Sequence, residues 1–255
     1  AKYDSEGEQQ WVRPNGGTTV DVATSVGCDL NGMAYVSGYY QGTTFFQDHS
    51  ASALSYNDVF LAQFDAAGNC NWLQSAGSWG LDNCLGMAVA WDGSTYLTGM
   101  FEETLYAEGL SADGDGYDVF ILAYAPSGMP RYIKVAGAGS SDFGMALCLG
   151  SDQSLFVTGY YYFFADFDGN TVGAADYGDC FLTRLTDILE TPEMENLEAS
   201  TCFKYIPELK VIQVACNEVE SWSIYGVSGQ LIASGSVLGD QIRLPQMESG
   251  LYFVT

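Results

Sequence analysis

The sequence predicts an all-β protein in which three tandem repeats precede a smaller β module. Short apolar and aromatic runs alternate with turns rich in Gly, Asp and Pro, as β-strands and their connections do. No segment shows the periodicity of a helix, and one set of residues recurs at a fixed spacing. Hydrophobic residues make up 47% of the 255 residues, so the chain can bury a core.

The repeat is defined by columns of similar residues. An Asp-x-Phe strand begins at Asp58, Asp118 and Asp179, so successive copies start 60 and 61 residues apart. Further columns keep the same step: Asp21, Asp82 and Asp142; Gly7, Gly68 and Gly128; Trp11, Trp72 and Tyr132; Gly16, Gly77 and Gly137; Gly38, Gly99 and Gly159. We therefore assign residues 1–184 to three repeats.

Each repeat contains the signals of about four strands. The run VFLAQF from Val59 is followed by a turn and the run NWLQSAG, and GMAVAWDGSTYLTGMF then has the form of a hairpin with an Asp-Gly turn. A four-stranded unit at this period is typical of a propeller blade, whose faces must be covered by neighbouring blades. We expect three four-stranded propeller-type blades in an open arc, part of a longer parent, because a closed ring needs about four to eight.

The repeat resembles the bacterial SBBP-type β-propeller repeat. The matching residues are Asp92-Gly93 followed by Tyr96 to Gly99, which fit a D-x-x-G-x-x-Y-V-T-G hairpin. The D-x-F strand of that family is matched by Asp58-Val59-Phe60. The resemblance covers about 180 residues and implies the blade architecture.

The composition changes after Leu185. Residues 185–200 are acidic, contain no aromatic residue and leave the repeat register, so we expect a linker. Residues 201–255 contain several short strand-like runs separated by turns, which predict a small β-sandwich.

The C-terminal module resembles the sorting domain of type IX-secreted proteins of the Bacteroidetes. The match rests on these segments: Ser223-Ile224-Tyr225, Ser228 to Ile232, Ile242-Arg243-Leu244 and Ser249 to Val254. The Y-P-N-P motif at the start of that family's domain is matched only by Tyr205-Ile206-Pro207. The basic final strand of the family is absent, so we expect the tail to be cut after Thr255. The resemblance implies export by the secretion machinery through residues 201–255, followed by release or attachment at the outer cell surface.

The charge excludes several partners. Acidic residues number 32 and basic residues 8, which gives a net charge of −24. Nucleic acid binding and adsorption to an anionic membrane both require clustered Lys and Arg, so we expect neither. No apolar run is long enough to span a bilayer, so we expect no membrane insertion.

The cysteines and the single histidine do not form a recognisable site. The seven cysteines are Cys28, Cys70, Cys84, Cys148, Cys180, Cys202 and Cys216. A zinc site is not expected, since no Cys-x-x-Cys pair occurs and His49 is the sole histidine. The simplest prediction is buried free cysteines, and a Cys202–Cys216 disulfide stays open.

No catalytic residue is assigned. His49 lies in a polar excursion between strands, has no counterpart in the other repeats, and is predicted to be a solvated loop residue. Glu102 and Glu103 are the carboxylate pair considered for glycoside hydrolysis, but no surrounding frame supports them. We therefore predict that these residues are not an enzyme, and we leave open a catalytic domain upstream.

Acidic loops raise the question of calcium. Asp113, Asp115 and Asp118 alternate around glycines, as do Asp166, Asp168 and Asn170. The twelfth positions of these loops are tyrosines, whereas an EF-hand requires Glu. We assign no metal site or cofactor and keep Ca²⁺ near Asp113, Asp115 and Asp118 as an alternative.

Two other features have structural interpretations. The Asp columns recur once per repeat, so we expect them to accept backbone N–H bonds at turns or strand ends. The aromatic run Tyr160 to Phe164 is expected to be mostly core, with a surface for a glycan or a protein as the alternative.

The sequence thus predicts a secreted or cell-surface β-propeller-repeat protein that acts as a binding or structural scaffold. Two alternatives remain: the non-catalytic part of an extracellular carbohydrate-active enzyme, and a calcium-dependent adhesion module.

Overall fold

The structure is a computed structural model, which describes residues 1–150 and 154–185 together with the backbone of six strands between residues 203 and 254. All regular elements of the described residues are β-strands, so the prediction of an all-β protein is confirmed. The chain divides into two compact units, Ala1–Ile188 and Leu189–Thr255. The described residues contain no helix that could cross a membrane.

The repeats form antiparallel meanders, which we name A, B and C. Meander A contains β3 (Asp21–Cys28), β4 (Ala34–Phe46), β5 (His49–Phe64) and β6 (Cys70–Gly77). Meander B contains β7 (Asn83–Val89), β8 (Thr95–Ala107), β9 (Leu110–Tyr124) and β10 (Pro130–Ala136). Meander C contains β11 (Phe143–Leu149), β12 (Leu155–Phe167) and β13 (Asn170–Leu185).

Meanders A and B have four strands each, and the prediction of a third four-stranded unit is not confirmed within the described residues. Meander C has three strands there, because the sequence after Leu185 leaves the repeat register. An N-terminal pair, β1 (Lys2–Tyr3) and β2 (Gln9–Trp11), precedes meander A. By the repeat spacing, this pair corresponds to the end of β5 and the start of β6. The first meander therefore begins at β3, one strand pair after the point where the first repeat was assigned from the sequence.

The second and third strands of each meander form a long hairpin. Its inner part ends at a bulge where residues Gly42, Glu103 and Phe163 have φ of 63°, 66° and 60°. Beyond the bulge the hairpin continues to a two-residue turn. The polar excursions of the sequence, including the one that holds His49, are these hairpin extensions and not irregular loops.

The hairpin extensions reach the preceding repeat. In meander B, Ala107 and Tyr106 pair with Ala76 and Gly77 of β6, which joins meanders A and B into one eight-stranded sheet. The same contact recurs at the equivalent positions, where Gly137 and Asp166 exchange backbone hydrogen bonds of 3.0 and 3.2 Å. At the first repeat, the Gly16 N–H donates to the Phe45 carbonyl at 2.9 Å. We call this contact the hairpin clasp.

Buried side chains form three clusters along the repeats. The first cluster lies between meanders A and B and includes Leu61 and Leu97. The second lies between B and C and includes Ile121 and Val157. The third belongs to meander A alone and contains Tyr40, Phe46, Phe60, Ala62 and Phe64. Adjacent meanders are therefore held together by apolar side chains as well as by the clasps.

The C-terminal unit contains two three-stranded antiparallel sheets. One has the order β14 (Phe203–Ile206), β15 (Val211–Val214), β18 (Gln241–Arg243). The other has the order β17 (Leu231–Ser236), β16 (Ser221–Gly226), β19 (Tyr252–Val254). Residues 186–200 of the predicted linker 185–200 lie outside the described residues, as do Cys202 and Cys216.

Candidate functional site

One column of aspartates accepts backbone hydrogen bonds at the start of each meander. Oδ2 of Asp142 accepts the Ala138 N–H at 3.0 Å, and its Oδ1 accepts the Tyr162 N–H at 3.1 Å. Asp82 makes the same two bonds, to the N–H groups of Ser78 and Glu102. Each carboxylate therefore connects the loop before the first strand to the bulge of the second strand. The expectation that these aspartates accept backbone N–H groups is confirmed.

The first member of this column makes fewer bonds. Oδ2 of Asp21 accepts the Gly17 N–H at 2.7 Å, whereas its Oδ1 has no hydrogen-bond partner. In this repeat the Gln41 N–H donates instead to the Val20 carbonyl, at 2.8 Å. The first junction is thus less completely bonded than the later two.

The aspartates of a second column accept backbone N–H groups from residues that precede them in the third strand of each meander. Oδ2 of Asp58 accepts the Leu54 N–H at 3.1 Å, and Oδ2 of Asp118 accepts the Asp115 N–H at 2.6 Å. Asp179 accepts from Ala175 at 2.9 Å. These bonds stabilise the bend between the inner strand and the hairpin extension.

The two columns meet at a glycine. A Cβ added to Gly77 would overlap the carboxylate of Asp58, and one added to Gly137 would overlap the carboxylates of both Asp118 and Asp142. This close approach explains the Gly16, Gly77 and Gly137 column, because any side chain would displace a carboxylate.

The meeting carboxylates are buried. Asp58, Asp82, Asp118 and Asp142 are each at most 3% exposed, and Oδ1 of both Asp58 and Asp118 lacks a hydrogen-bond partner. Each of the junctions A–B and B–C therefore holds a pair of carboxyl groups with little exposed surface.

Burial changes the acidity of these groups. Desolvation raises the pKa of Asp58 to about 7, against the opposing effect of the Leu54 N–H, and the charge of Asp82 adds to the rise. Desolvation likewise raises the pKa of Asp82 to about 6, although the Ser78 hydroxyl and N–H oppose it. The pKa values of Asp118 and Asp142 are raised by burial in the same way. At the A–B junction, Asp58 can therefore hold a proton near neutral pH.

The calcium alternative receives no cluster of ligands from the described residues. Asp113 accepts from the Thr104 hydroxyl across the β8–β9 hairpin, at 2.8 Å, while Asp118 accepts from the Asp115 N–H. Asp168 forms an ion pair with Lys134 at 3.0 Å. Within the part of the chain that is described, no three His, Cys, Asp or Glu side chains converge as metal ligands would.

The residues considered for catalysis have structural contacts. His49 lies in β5 next to the tip of its hairpin, and its Nε2 is 3.3 Å from the Cys70 carbonyl. Glu102 donates its N–H to Asp82, and Glu103 occupies the bulge with φ of 66°. His49 is thus a strand residue rather than the predicted loop residue, because the excursion around it is a hairpin.

The aromatic run Tyr160 to Phe164 is divided between core and surface. Tyr161 is 5% exposed and belongs to the B–C cluster, whereas Phe163 and Phe164 are about half exposed. The other rings continue a row across the surface in which neighbouring centroids lie 4.7 to 6.5 Å apart: Tyr117, Phe143, Tyr160, Tyr162, Tyr177 and Phe163. Both the core and the surface alternatives therefore apply to part of the run.

The cysteine prediction holds for one residue. Cys84 is fully buried, and burial raises the pKa of its thiol to about 12. Cys28, Cys148 and Cys180 are exposed thiols, so the prediction of buried cysteines is wrong for these three.

Comparison with the models of known protein families finds none that matches this chain, and comparison with curated proteins finds no similar sequence.

Proposed function

We propose that this chain is a secreted or cell-surface scaffold built from β-propeller-type repeats and exported through its C-terminal module. The observation that carries the proposal is the recurrence of one junction along the chain. The aspartate pair, the glycine between its members and the hairpin clasp occur both between A and B and between B and C. A group needed for catalysis acts once, whereas a group that joins repeats is needed at every junction.

The proposed architecture places the first strands of the meanders next to one another. The Thr24 hydroxyl of β3 donates to the Cys84 carbonyl of β7 at 2.9 Å. A Cβ on Gly86 of β7 would lie 3.0 Å from the backbone of Ala146 in β11. The first strands of successive meanders are in contact, and the long hairpins lie outside them. This arrangement is typical of blades placed around an axis. We therefore propose that A, B and C are consecutive blades of an arc.

Export is proposed from the sequence resemblance of residues 201–255, whose strands pair as two small antiparallel sheets. The test places the full chain, behind a signal peptide for the inner membrane, in a bacterium with type IX secretion and in a strain that lacks the system. The matched control is the same chain ending at Ser200. We expect surface or medium localisation for the full chain in the competent strain alone.

The readout is digestion of intact cells by an added protease, together with immunoblotting of the medium. Periplasmic retention of the full chain in the competent strain contradicts the export proposal. Equal release of the full chain and of the chain ending at Ser200 contradicts the role of residues 201–255.

A further inference from the structure

A polar cleft lies at the junction between meanders A and B. It has a volume of about 640 Å³ and is bounded by the hairpin extension of meander A, strand β6 and the tip of the β8–β9 hairpin. Its described lining contains no Lys, Arg or His, whereas two carboxyl groups line it, those of Asp58 and Glu108. The volume lies in the range of small-molecule sites. The charge of the lining excludes an anion and favours a cation as the ligand.

The two carboxyl groups of the cleft are not neutralised by a base. Asp58 is 2% exposed, and its Oδ1 has no hydrogen-bond partner, so it can accept one further donor. Glu108 is exposed at the turn of the β8–β9 hairpin and makes no ion pair with any described residue. The cleft therefore offers one buried and one exposed acceptor for a positively charged group.

The next junction carries its own cation at the equivalent place. Nζ of Lys134 in β10 donates to Oδ2 of Asp168, at the turn of the β12–β13 hairpin, over 3.0 Å. The repeat spacing of 60 residues places Gln74 at the position of Lys134 and Glu108 at the position of Asp168. Gln74 also lines the cleft. The A–B junction thus keeps the acidic residue of this pair and lacks the basic one.

The remaining lining suits an aliphatic chain that ends in an ammonium group. Leu54, Leu73 and Leu110 contribute apolar surface, and Leu54 is 43% exposed. The hydroxyl groups of Ser50 and Ser111 can accept hydrogen bonds from an ammonium N–H. A lysine side chain combines an apolar stem with a charged head in this way. Lys134 therefore shows, within the chain itself, the kind of group that the A–B cleft lacks.

We propose that the A–B cleft binds a primary ammonium group on an aliphatic chain, which Glu108 holds in the place that Lys134 occupies at the next junction. Two sources share this chemistry: a free diamine, and the lysine side chain of another protein. The net charge of −24 attracts either of them from solution. The inference goes beyond the proposed scaffold and export roles and rests on neither.

The test titrates the full chain, with isotope-labelled Leu and Ile methyl groups, with cadaverine at low ionic strength. The NMR signals of Leu54, Leu73 and Leu110 report on the cleft. A pH of about 8 keeps Asp58 ionised, because its pKa is about 7. Pentanediol has the same carbon chain without the charge and is the neutral control. We expect saturable shifts of these signals with cadaverine and none with pentanediol.

A second ligand separates the two sources. Nα-acetyl-lysine amide presents the ammonium group as a protein side chain does. Shifts of the same methyl signals with this compound assign the lysine side chain as a ligand. A response to cadaverine alone assigns the free diamine.

Two substitutions exchange the charges of the two junctions. Gln74→Lys supplies the missing base beside Glu108 and should abolish the response to cadaverine at the cleft. Lys134→Gln frees Asp168 and should create a second site, seen as new shifts of the Ile133 methyl signals next to it. Both results follow if the ammonium group is what the A–B junction lacks.

Glu108→Gln tests the exposed carboxylate at a turn position. It should weaken cadaverine binding by roughly two- to fivefold, the range expected for an exposed ion pair. Glu103→Gln removes the same charge from the same hairpin outside the cleft and should bind as the parent does.

The proposal is overturned by any of four results: no saturable shift with cadaverine, an equal response to pentanediol, undiminished binding by Gln74→Lys, or equal binding by Glu108→Gln and the parent. Export is measured separately on whole cells, so each of these results would leave the proposed function standing.

Discussion

At the scale of single residues, the aspartates of the repeat columns join the start of each meander to its second strand. The aspartate columns were visible as repeats, and their role as acceptors of backbone N–H groups follows from the chemistry of short carboxylates in turns. The pairing of Asp58 with Asp82 was not visible, because the two residues come from different strands and meet only through the close approach at Gly77. The exposure of Cys180 was missed for a related reason, since Val59 and Val119 are buried at the equivalent positions of the other repeats.

The buried carboxyl groups predict an unusual dependence of stability on pH. The pKa of Asp58 rises from 3.8 in the unfolded chain to about 7 in the fold, so the folded state binds more protons between these values. Its contribution is therefore fully present below pH 4 and is lost as the pH rises through about 7. We expect the free energy of unfolding by urea to fall over this range by about 4 kcal/mol through Asp58, because its pKa changes by roughly three units and each unit corresponds to about 1.4 kcal/mol.

The variant Asp58→Asn isolates that contribution. An Asn keeps an acceptor for the Leu54 N–H but does not titrate, so the fall in stability with rising pH should be smaller than in the parent. Asp48→Asn, at an exposed position in the tip of the same hairpin, is the control and should follow the parent curve. Identical pH profiles for Asp58→Asn and the parent would show that the junction carboxylates do not titrate as described.

Among the elements, the long hairpins differ most from the sequence prediction. Their inner strands were recognisable from apolar and aromatic runs, but their outer halves are polar and resembled loops. The bulge that separates the two halves has a left-handed backbone at Glu103 and Phe163, where no glycine marks it. A hairpin extension that pairs with a neighbouring repeat also leaves no local pattern, because its partner lies in another unit.

The hairpin extension contributes to the core of the junction, which yields a prediction. Leu105 lies beyond the bulge of β8, is fully buried, and belongs to the A–B cluster. Leu105→Ala should reduce the free energy of unfolding by about 2 to 4 kcal/mol, because it leaves a cavity among buried side chains. The neighbouring Tyr106→Ala removes a side chain that is 46% exposed and should cost much less. Equal effects in urea unfolding would mean that the extension is not part of the core.

At the scale of the whole molecule, the short apolar runs and turns predicted the all-β class, which the described residues confirm, and the repeat columns predicted three units of about four strands each. The columns could not predict which strand begins each meander, because a repeating pattern looks the same whichever strand is counted first. The structure places β1 and β2 at the end of a preceding unit and leaves meander C with three strands in the described residues.

The central claim is that one junction geometry recurs along the chain. The most direct measurement is intrachain cross-linking at the second junction, where Ala88 and Leu149 hold the positions that Gly27 and Val89 hold at the first. An added Cβ on Gly27 would lie 3.4 Å from the Cβ of Val89. We expect the Ala88→Cys/Leu149→Cys chain to form an intramolecular disulfide readily on oxidation, in a background that carries Cys28→Ser and Cys148→Ser.

The matched control pairs Ala88→Cys with Met129→Cys, an exposed residue of the β9–β10 turn, and should not cross-link within the chain. Peptide mapping by mass spectrometry identifies the bond. An intramolecular link between positions 88 and 149, absent from the control, is the result that recurrent stacking predicts. Failure of this pair to cross-link in a folded chain would contradict it.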